Sequence, residues 1–417
     1  MSFLNTFKAA MASPESFESG AENSEDITQQ SAIPSEEYTP SEIAEVRIKY
    51  ETEHEGIEDT VSDAPSVPEI HAVNDRLRTL EDTAVMVAQA SPVEAQGAVD
   101  MANTIIEDSA VSFSSGIPKF DTDEEGKVDE TSMESVVSWI SNAGKGFADA
   151  IKSAFTRLGA SLKRLLDSSE GIASRASVVV ATIKKRNGEG GKGIKFASKY
   201  LQRLVKGSEY SKNLPEDLEK TAKVYKEHID ILIDYGNAIY EYSKNAIVKR
   251  TGGHVAEIDT KEFKNKLKAI SSSKPAILGN RHLAEVKPKQ APLGYLWEDG
   301  VPAASSIVRH ADDIHSLTND EIKRVATTVG KIATEWSRDI EQAIKELNES
   351  VQDIHDLVLN INTVHGQPAP AYDMVQLERH VLSEFISVAS EANKVYGDLQ
   401  LTLSAAIVLC EESIIQD

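Results

Sequence analysis

The chain has 417 residues, of which 40% are hydrophobic, 6% aromatic and 27% charged, with a formal net charge of −23. One cysteine, Cys410, excludes a disulfide framework and a cysteine-based metal cluster, and suits a reducing compartment. No apolar run is long enough to span a bilayer, and Met1 to Ala12 lack an apolar core of signal-peptide length. The charge is unevenly placed. Residues 1–134 hold 7 Lys+Arg against 30 Asp+Glu, residues 135–290 hold 29 against 16, and residues 291–417 hold 8 against 21. The blocks therefore carry −23, +13 and −13, and the whole excess precedes Ser135. This predicts an acidic tail beside a basic module that meets a polyanion, the alternative being an acidic tail on an unrelated domain.

Residues 1–70 are rich in Ser, Glu, Pro and Thr. They are expected to be a disordered acidic leader, with room for a short helix at about 41–53, because too little apolar surface is available to offset ordering entropy. Residues 71–134 are expected to form a small helical propeptide and an acidic linker. Val73, Leu77, Leu80, Val85 and Val87 give one helix. Ser91-Pro92 stops it and caps a second, with Val93, Ala98, Met101 and Ile105 on one face. Residues 111–131 read as linker.

From Met133 the helical pattern strengthens, through Val136, Ile140, Phe147, Ile151, Phe155, Leu158, Leu162 and Leu165. A second helix is predicted over 171–187 (Ile172, Ala176, Val179, Ile183), then a turn at Asn187–Lys192 and a third, basic helix from Ile194 to Lys206. Asn213-Leu214-Pro215 opens a long helix to about Val248. Residues 249–315 are irregular, with a short helix at about 260–270 and a hairpin of strands near His282–Val286 and Tyr295–Trp297. Thr318-Asn319-Asp320-Glu321 starts a long helix whose apolar positions advance by three and four from Ile322 to Val358. After a turn at Gly366–Pro370, the last helix runs from about 373 to 414. The short connection predicts an antiparallel pair over 316–417. The fold class is mainly α: an elongated helical bundle over 135–417, with one short β hairpin and basic helices over 135–248.

No catalytic signature is present. The Gly-rich Asn187–Lys192 lacks a Gly-Lys-Ser/Thr ending and a preceding strand, so it reads as a turn. His310, His315, His355 and His365 are dispersed, while Asp312, Asp313, Asp353 and Asp356 read as solvated faces. Cys410 reads as a core thiol, and Trp139, Trp297 and Trp336 as packing residues. The chain is expected not to be an enzyme and to hold no catalytic, cofactor or metal site.

Two signals remain. Lys145, Lys152, Arg157, Lys163, Arg164, Lys184, Lys185, Arg186, Lys192, Lys195, Lys199 and Arg203 are candidates for sequence-independent contacts with DNA phosphate. A solvated helix surface is the alternative. A membrane-surface helix over 135–158 is a further one, although continuation of the stripe favours core packing without stable membrane insertion. The second signal is the joint Ser132-Met133-Glu134, a small-x-Glu triplet before Ser135, where linker, charge boundary and helix start coincide. Ser16-Phe17-Glu18, Gly20-Ala21-Glu22, Gly56-Ile57-Glu58 and Gly207-Ser208-Glu209 share the triplet pattern without that coincidence.

In their order along the chain, several pieces resemble one family. They are the helical leader Asp75–Asp108, Ser132-Met133-Glu134-Ser135, Trp139-Ile140 through Ala150-Ile151-Lys152 and Phe155, Ala173 to Lys185, Leu278–Leu283 and Leu317–Ile322. Over roughly 75–415 the chain resembles the phiKZ-like internal head proteins of large tailed bacteriophages. The resemblance implies a virion protein made in the host cytoplasm and taken into the prohead core. There it would be trimmed by the prohead protease after Glu134, and would lie inside the capsid beside genomic DNA and capsid or core proteins. It also leaves open an ejected effector that binds a host protein or nucleic acid, and a membrane-active helical protein remains a third alternative.

Overall fold

The computed structural model describes residues 57, 59, 63–72, 75, 130–184, 190–207, 209–249, 259–287, 290–299, 314–364 and 372–416. The expected helix at 41–53, the propeptide helices beyond residue 75 and the linker before residue 130 lie outside them. The fold is mainly helical, with two small antiparallel strand pairs.

The first long element is α1 (Glu130–Ile183), 54 residues without interruption. At 1.5 Å rise per residue it spans about 80 Å. Leu158, Leu162, Leu165, Ser169, Ile172, Ala176, Val179 and Ile183 are all buried and alternate steps of four and three, the seam of a coiled-coil helix. The sequence predicts a new helix from residue 171, but the helix runs straight through. Ser169 keeps the seam in phase, and Gln400 Nε2 donates to Ser169 Oγ and to the Leu165 carbonyl, each at 2.5 Å.

The expected third helix is reduced to α2 (Ser198–Leu204). Ahead of it, Gly193 bridges His315, and Ile194 N–H donates to the Ile314 carbonyl at 2.8 Å, which keeps this segment extended. Behind it, β1 (Val205–Lys206) pairs with β2 (Glu209–Tyr210), a strand pair beyond the one hairpin expected.

Next come α3 (Leu214–Lys249), with Glu216 and Asp217 in its first turn, and α4 (Lys261–Ser273). Acidic groups there complement the positive end of the α3 dipole. Lys274, at φ 43°, closes α4 by donating its N–H to the Ser271 carbonyl, and Pro275 prevents continuation. The expected hairpin forms from β3 (Arg281–Glu285) and β4 (Tyr295–Asp299), with Leu283 opposite Trp297 and both buried.

The last two helices are α5 (Asn319–Val364) and α6 (Tyr372–Ile415). A capping box opens α5: Glu321 N–H donates to Thr318 Oγ1 at 3.3 Å, and Thr318 N–H donates to Glu321 Oε2 at 2.8 Å. The pair is antiparallel: Cys410 lies beside the Ile322 carbonyl, and Tyr396 reaches the Asp339 carbonyl and stands edge-on to Trp336.

Helix α6 has more neighbours than that pair supplies. α1, α2, α3 and α5 all pack on it. Ser161 donates to Asn393, Gln400 meets Ser169, and Arg175 meets Glu411, so α1 runs parallel to α6. Enclosure extends to the polar residues of α6: Ser387, Glu391, Asn393, Gln400, Glu411 and Ser413 are all at most 1% exposed.

Candidate functional site

The expected cation-bearing face of α1 is real but already partly occupied. Arg157, Lys163, Arg164 and Lys184 are exposed beside the buried seam. A leader segment lies against this helix. Ile57, Ala64, Val67 and Ile70 are 4%, 7%, 0% and 3% exposed, although composition placed them in a disordered leader. Residues 67–72 are helical, opened by a second capping box. Glu69 N–H donates to Ser66 Oγ at 3.3 Å, and Ser66 N–H reaches Glu69 Oε2 at 3.4 Å. Ser390 Oγ of α6 donates to the Pro65 carbonyl. Two ion pairs complete the contact, Arg157–Glu69 at 2.6 Å and Arg164–Asp63 at 3.2 Å.

The sequence carried one signal for this segment. Ser66-Val67-Pro68-Glu69 has the Ser-x-x-Glu form of a capping box, with proline in the first turn and Ile70 following. Four apolar residues in an acidic, Ser-rich background are too sparse for periodicity to reveal.

Lys192 and Lys195 are exposed on the extended segment that leads to α2, and Lys199 is exposed in the first turn of α2. The segment is anchored at both edges. Gly191 N–H donates to the Ser316 carbonyl at 2.9 Å and Ser316 N–H donates to the Lys192 carbonyl at 2.7 Å. Lys195 N–H donates to Gln416 Oε1 at 3.0 Å. Gly190 makes the turn possible: its φ is +70°, and a Cβ there would lie 2.8 Å from the Thr318 nitrogen. Lys199 Nζ rests 5.2 Å from the Tyr200 ring centroid.

Arg203 faces inward instead. It shares Asp398 with Arg281, at 3.4 Å for the Arg203 contact, and is 20% exposed. Lys185 and Arg186 lie outside the described residues, and the side chains of Lys145 and Lys152 lie outside the description of α1. Ser132, Met133, Glu134 and Ser135 all fall in the opening turns of α1, which begins at Glu130, three residues before the expected start.

Several other charged and polar groups serve the interior. Arg175 Nε and Nη2 donate to Glu411 Oε1 and Oε2 at 3.0 and 2.7 Å, with side chains 5% and 2% exposed. Glu391 is pushed up to about 7 by burial; Lys394 Nζ, 3.8 Å away and beyond hydrogen-bond reach, opposes this weakly. His228 accepts at Nδ1 from Trp297 Nε1–H at 2.7 Å, and burial lowers it to about 3, so it is a neutral core histidine. Burial also pushes the Cys410 thiol up. Among the described residues, no three His, Cys, Asp or Glu side chains are placed to hold a metal ion. Also among them, no helix is long and apolar enough to cross a membrane.

No curated protein and no solved structure matches the chain. A family model of phiKZ-like phage internal head proteins matches residues 45–410, a span that begins ahead of the docked leader segment and reaches into α6. The chain therefore belongs to the phiKZ-like phage internal head proteins, structural proteins of the phage head interior.

Proposed function

We propose that this head protein enters the prohead core with its leader attached, is cut after Glu134 by the prohead protease, and then lies against packaged DNA. The observation that carries the reading is the charge partition. Residues 1–134 hold 7 Lys+Arg against 30 Asp+Glu, while residues 135–417 hold equal numbers of each. Removing the leader changes a chain of charge −23 into a neutral one with a +13 block at its start. Lysine and arginine side chains release counterions from the duplex on contact, so binding is sequence-independent and falls steeply with salt. Exposed Lys163, Lys184, Lys192, Lys195 and Lys199 support this role.

The position of the joint also supports the reading. The opening turns of a helix contain four N–H groups without intrahelical acceptors and open at low cost. A protease can therefore draw 132–135 into an extended conformation while the buried seam described from Ala154 onward stays folded.

The test is a full chain carrying a site-specific protease sequence in the acidic run 121–129, just ahead of α1. Cutting it is expected to raise affinity for a short duplex at low salt at least tenfold, with loss of binding as salt rises. Equal affinity before and after cutting sinks the DNA reading. Mass spectrometry of mature virions is expected to show a species beginning at Ser135; an intact species beginning at Met1 excludes processing there.

A further inference from the structure

Cutting at residue 134 breaks a peptide bond but touches none of the contacts that hold Ile57 and residues 63–72. Those contacts are of two kinds. Val67 and Ile70 are 0% and 3% exposed and Ile57, at 4%, belongs to the main core cluster. Arg157 and Glu69 are 43% and 46% exposed, and Arg164 and Asp63 59% and 64%. Exposed ion pairs are weak and screened by salt, whereas apolar burial is not. The apolar residues therefore hold the segment, and the acids decide what it covers.

They pair with two of the cations named as DNA contacts. Arg157 and Arg164 lie seven residues apart on α1, about 10 Å along its axis. Asp63 and Glu69 present to them the acceptor chemistry that phosphate would present. Ser390 adds a third hold from α6, through the Pro65 carbonyl.

We propose that residues 63–72, together with Ile57, are an intramolecular strap that occupies the groove between α1 and α6. It is a built-in competitor of the DNA phosphate backbone for Arg157 and Arg164. While the chain is intact, the strap is tethered and rebinds at a high effective concentration. Scission at 134, on the reading above, makes it an independent peptide that DNA can displace. Leader removal is thus two events, cutting and displacement, and the second depends on polyanion.

The test uses the full chain, with the protease sequence at 121–129, uncut. Val67→Asp/Ile70→Asp removes apolar docking while adding two negative charges. Duplex affinity at low salt and hydrogen exchange over 154–165 are measured together, with Val67→Ala/Ile70→Ala as a milder companion. Both variants are expected to exchange faster over 154–165. The double-Asp chain is expected to bind duplex at least fivefold more tightly than the uncut parent, against its added charge, and Arg157→Gln/Arg164→Gln should abolish the gain. Unchanged exchange in both variants overturns the strap. Faster exchange without tighter binding overturns the competitor role while leaving the DNA reading standing, provided the cut parent binds. A cut parent that fails to bind duplex with its strap released overturns the DNA reading and the competitor role together.

Discussion

Arg175 and Glu411 meet bidentately inside the bundle, 5% and 2% exposed, while Arg157 and Arg164 meet Glu69 and Asp63 at the surface, 43–64% exposed. The chemistry is the same and the surroundings are opposite. Inside, both ions have left water, so losing one partner leaves the other's charge buried without its bidentate match. Outside, water and salt can replace either partner. Asp398, 11% exposed and shared by Arg203 and Arg281, is closer to the first case. The interior pairs fix how α1 and α2 seat on α6. The surface pairs guide a segment that can come away.

The largest expected effect tests the interior side of this contrast. Glu411→Ala leaves Arg175 buried and is expected to cost about 3–5 kcal/mol in urea unfolding, whereas Arg175→Met/Glu411→Leu should recover most of that loss. If the single variant costs less than about 1 kcal/mol, water reaches the pair and the contrast fails.

Next in size is a pH effect from two buried groups with opposite signs. Glu391 is raised from 4.5 to about 7, so it contributes stability below pH 4.5 that is lost as pH rises through 7. His228 is lowered from 6.5 to about 3, so it contributes stability above pH 6.5 that is lost as pH falls toward 3. Between pH 4.5 and 6.5 the two slopes oppose each other. Glu391→Gln is expected to unmask a rise in stability of roughly 1.4 kcal/mol per pH unit across that window, read from denaturation midpoints. A variant whose pH dependence matches the parent's would show that Glu391 is not held neutral.

The surface contact should respond more weakly and more locally. Ile70→Ala is expected to weaken strap docking by about 2 kcal/mol, seen as faster exchange over 154–165 with little change in the global midpoint. Smallest of all, Asp63→Asn and Glu69→Gln should each cost less than about 1 kcal/mol of docking, an effect that shrinks as salt increases. A larger loss from Glu69→Gln would mean that the surface pair is desolvated like Arg175–Glu411.

Much of the helical architecture was legible because helices are local. Thr318 and Glu321 announce the start of α5, Pro215 the start of α3, and the Gly- and Pro-containing stretch Gly366–Pro370 in the sequence the antiparallel return of α6. The errors were local as well. Gly171 beside Ser168-Ser169-Glu170 suggests a break, yet Ser169 occupies a seam position and Gln400 satisfies it. The basic run Ile194–Lys206 suggests a helix, but hydrogen bonds with residues 314–316 draw its first part into extended chain. No residue near Lys192 in sequence predicts that Ser316 will be its partner.

The candidate site divides along the same line. Lys163 was legible as a cation off the apolar stripe, and Lys184, Lys192, Lys195 and Lys199 as members of a basic run. The inward commitment of Arg203 and the pairing of Arg157 and Arg164 with leader acids were not. Their partners Asp398, Glu69 and Asp63 are 195, 88 and 101 residues away.

By itself, the sequence determined the helical class, the β3–β4 hairpin, the absence of a cysteine framework and the partition of charge at Ser135. Spacing, caps and composition act within a few residues, so they can be read without a fold. Only the tertiary structure decided that α6 is enclosed by four elements, that Arg175 belongs to Glu411 and that an acidic leader is strapped over the basic face of α1. Periodicity shows which side of a helix is apolar, but the partner that covers it, or neutralises a charge beside it, is chosen when distant segments desolvate one another.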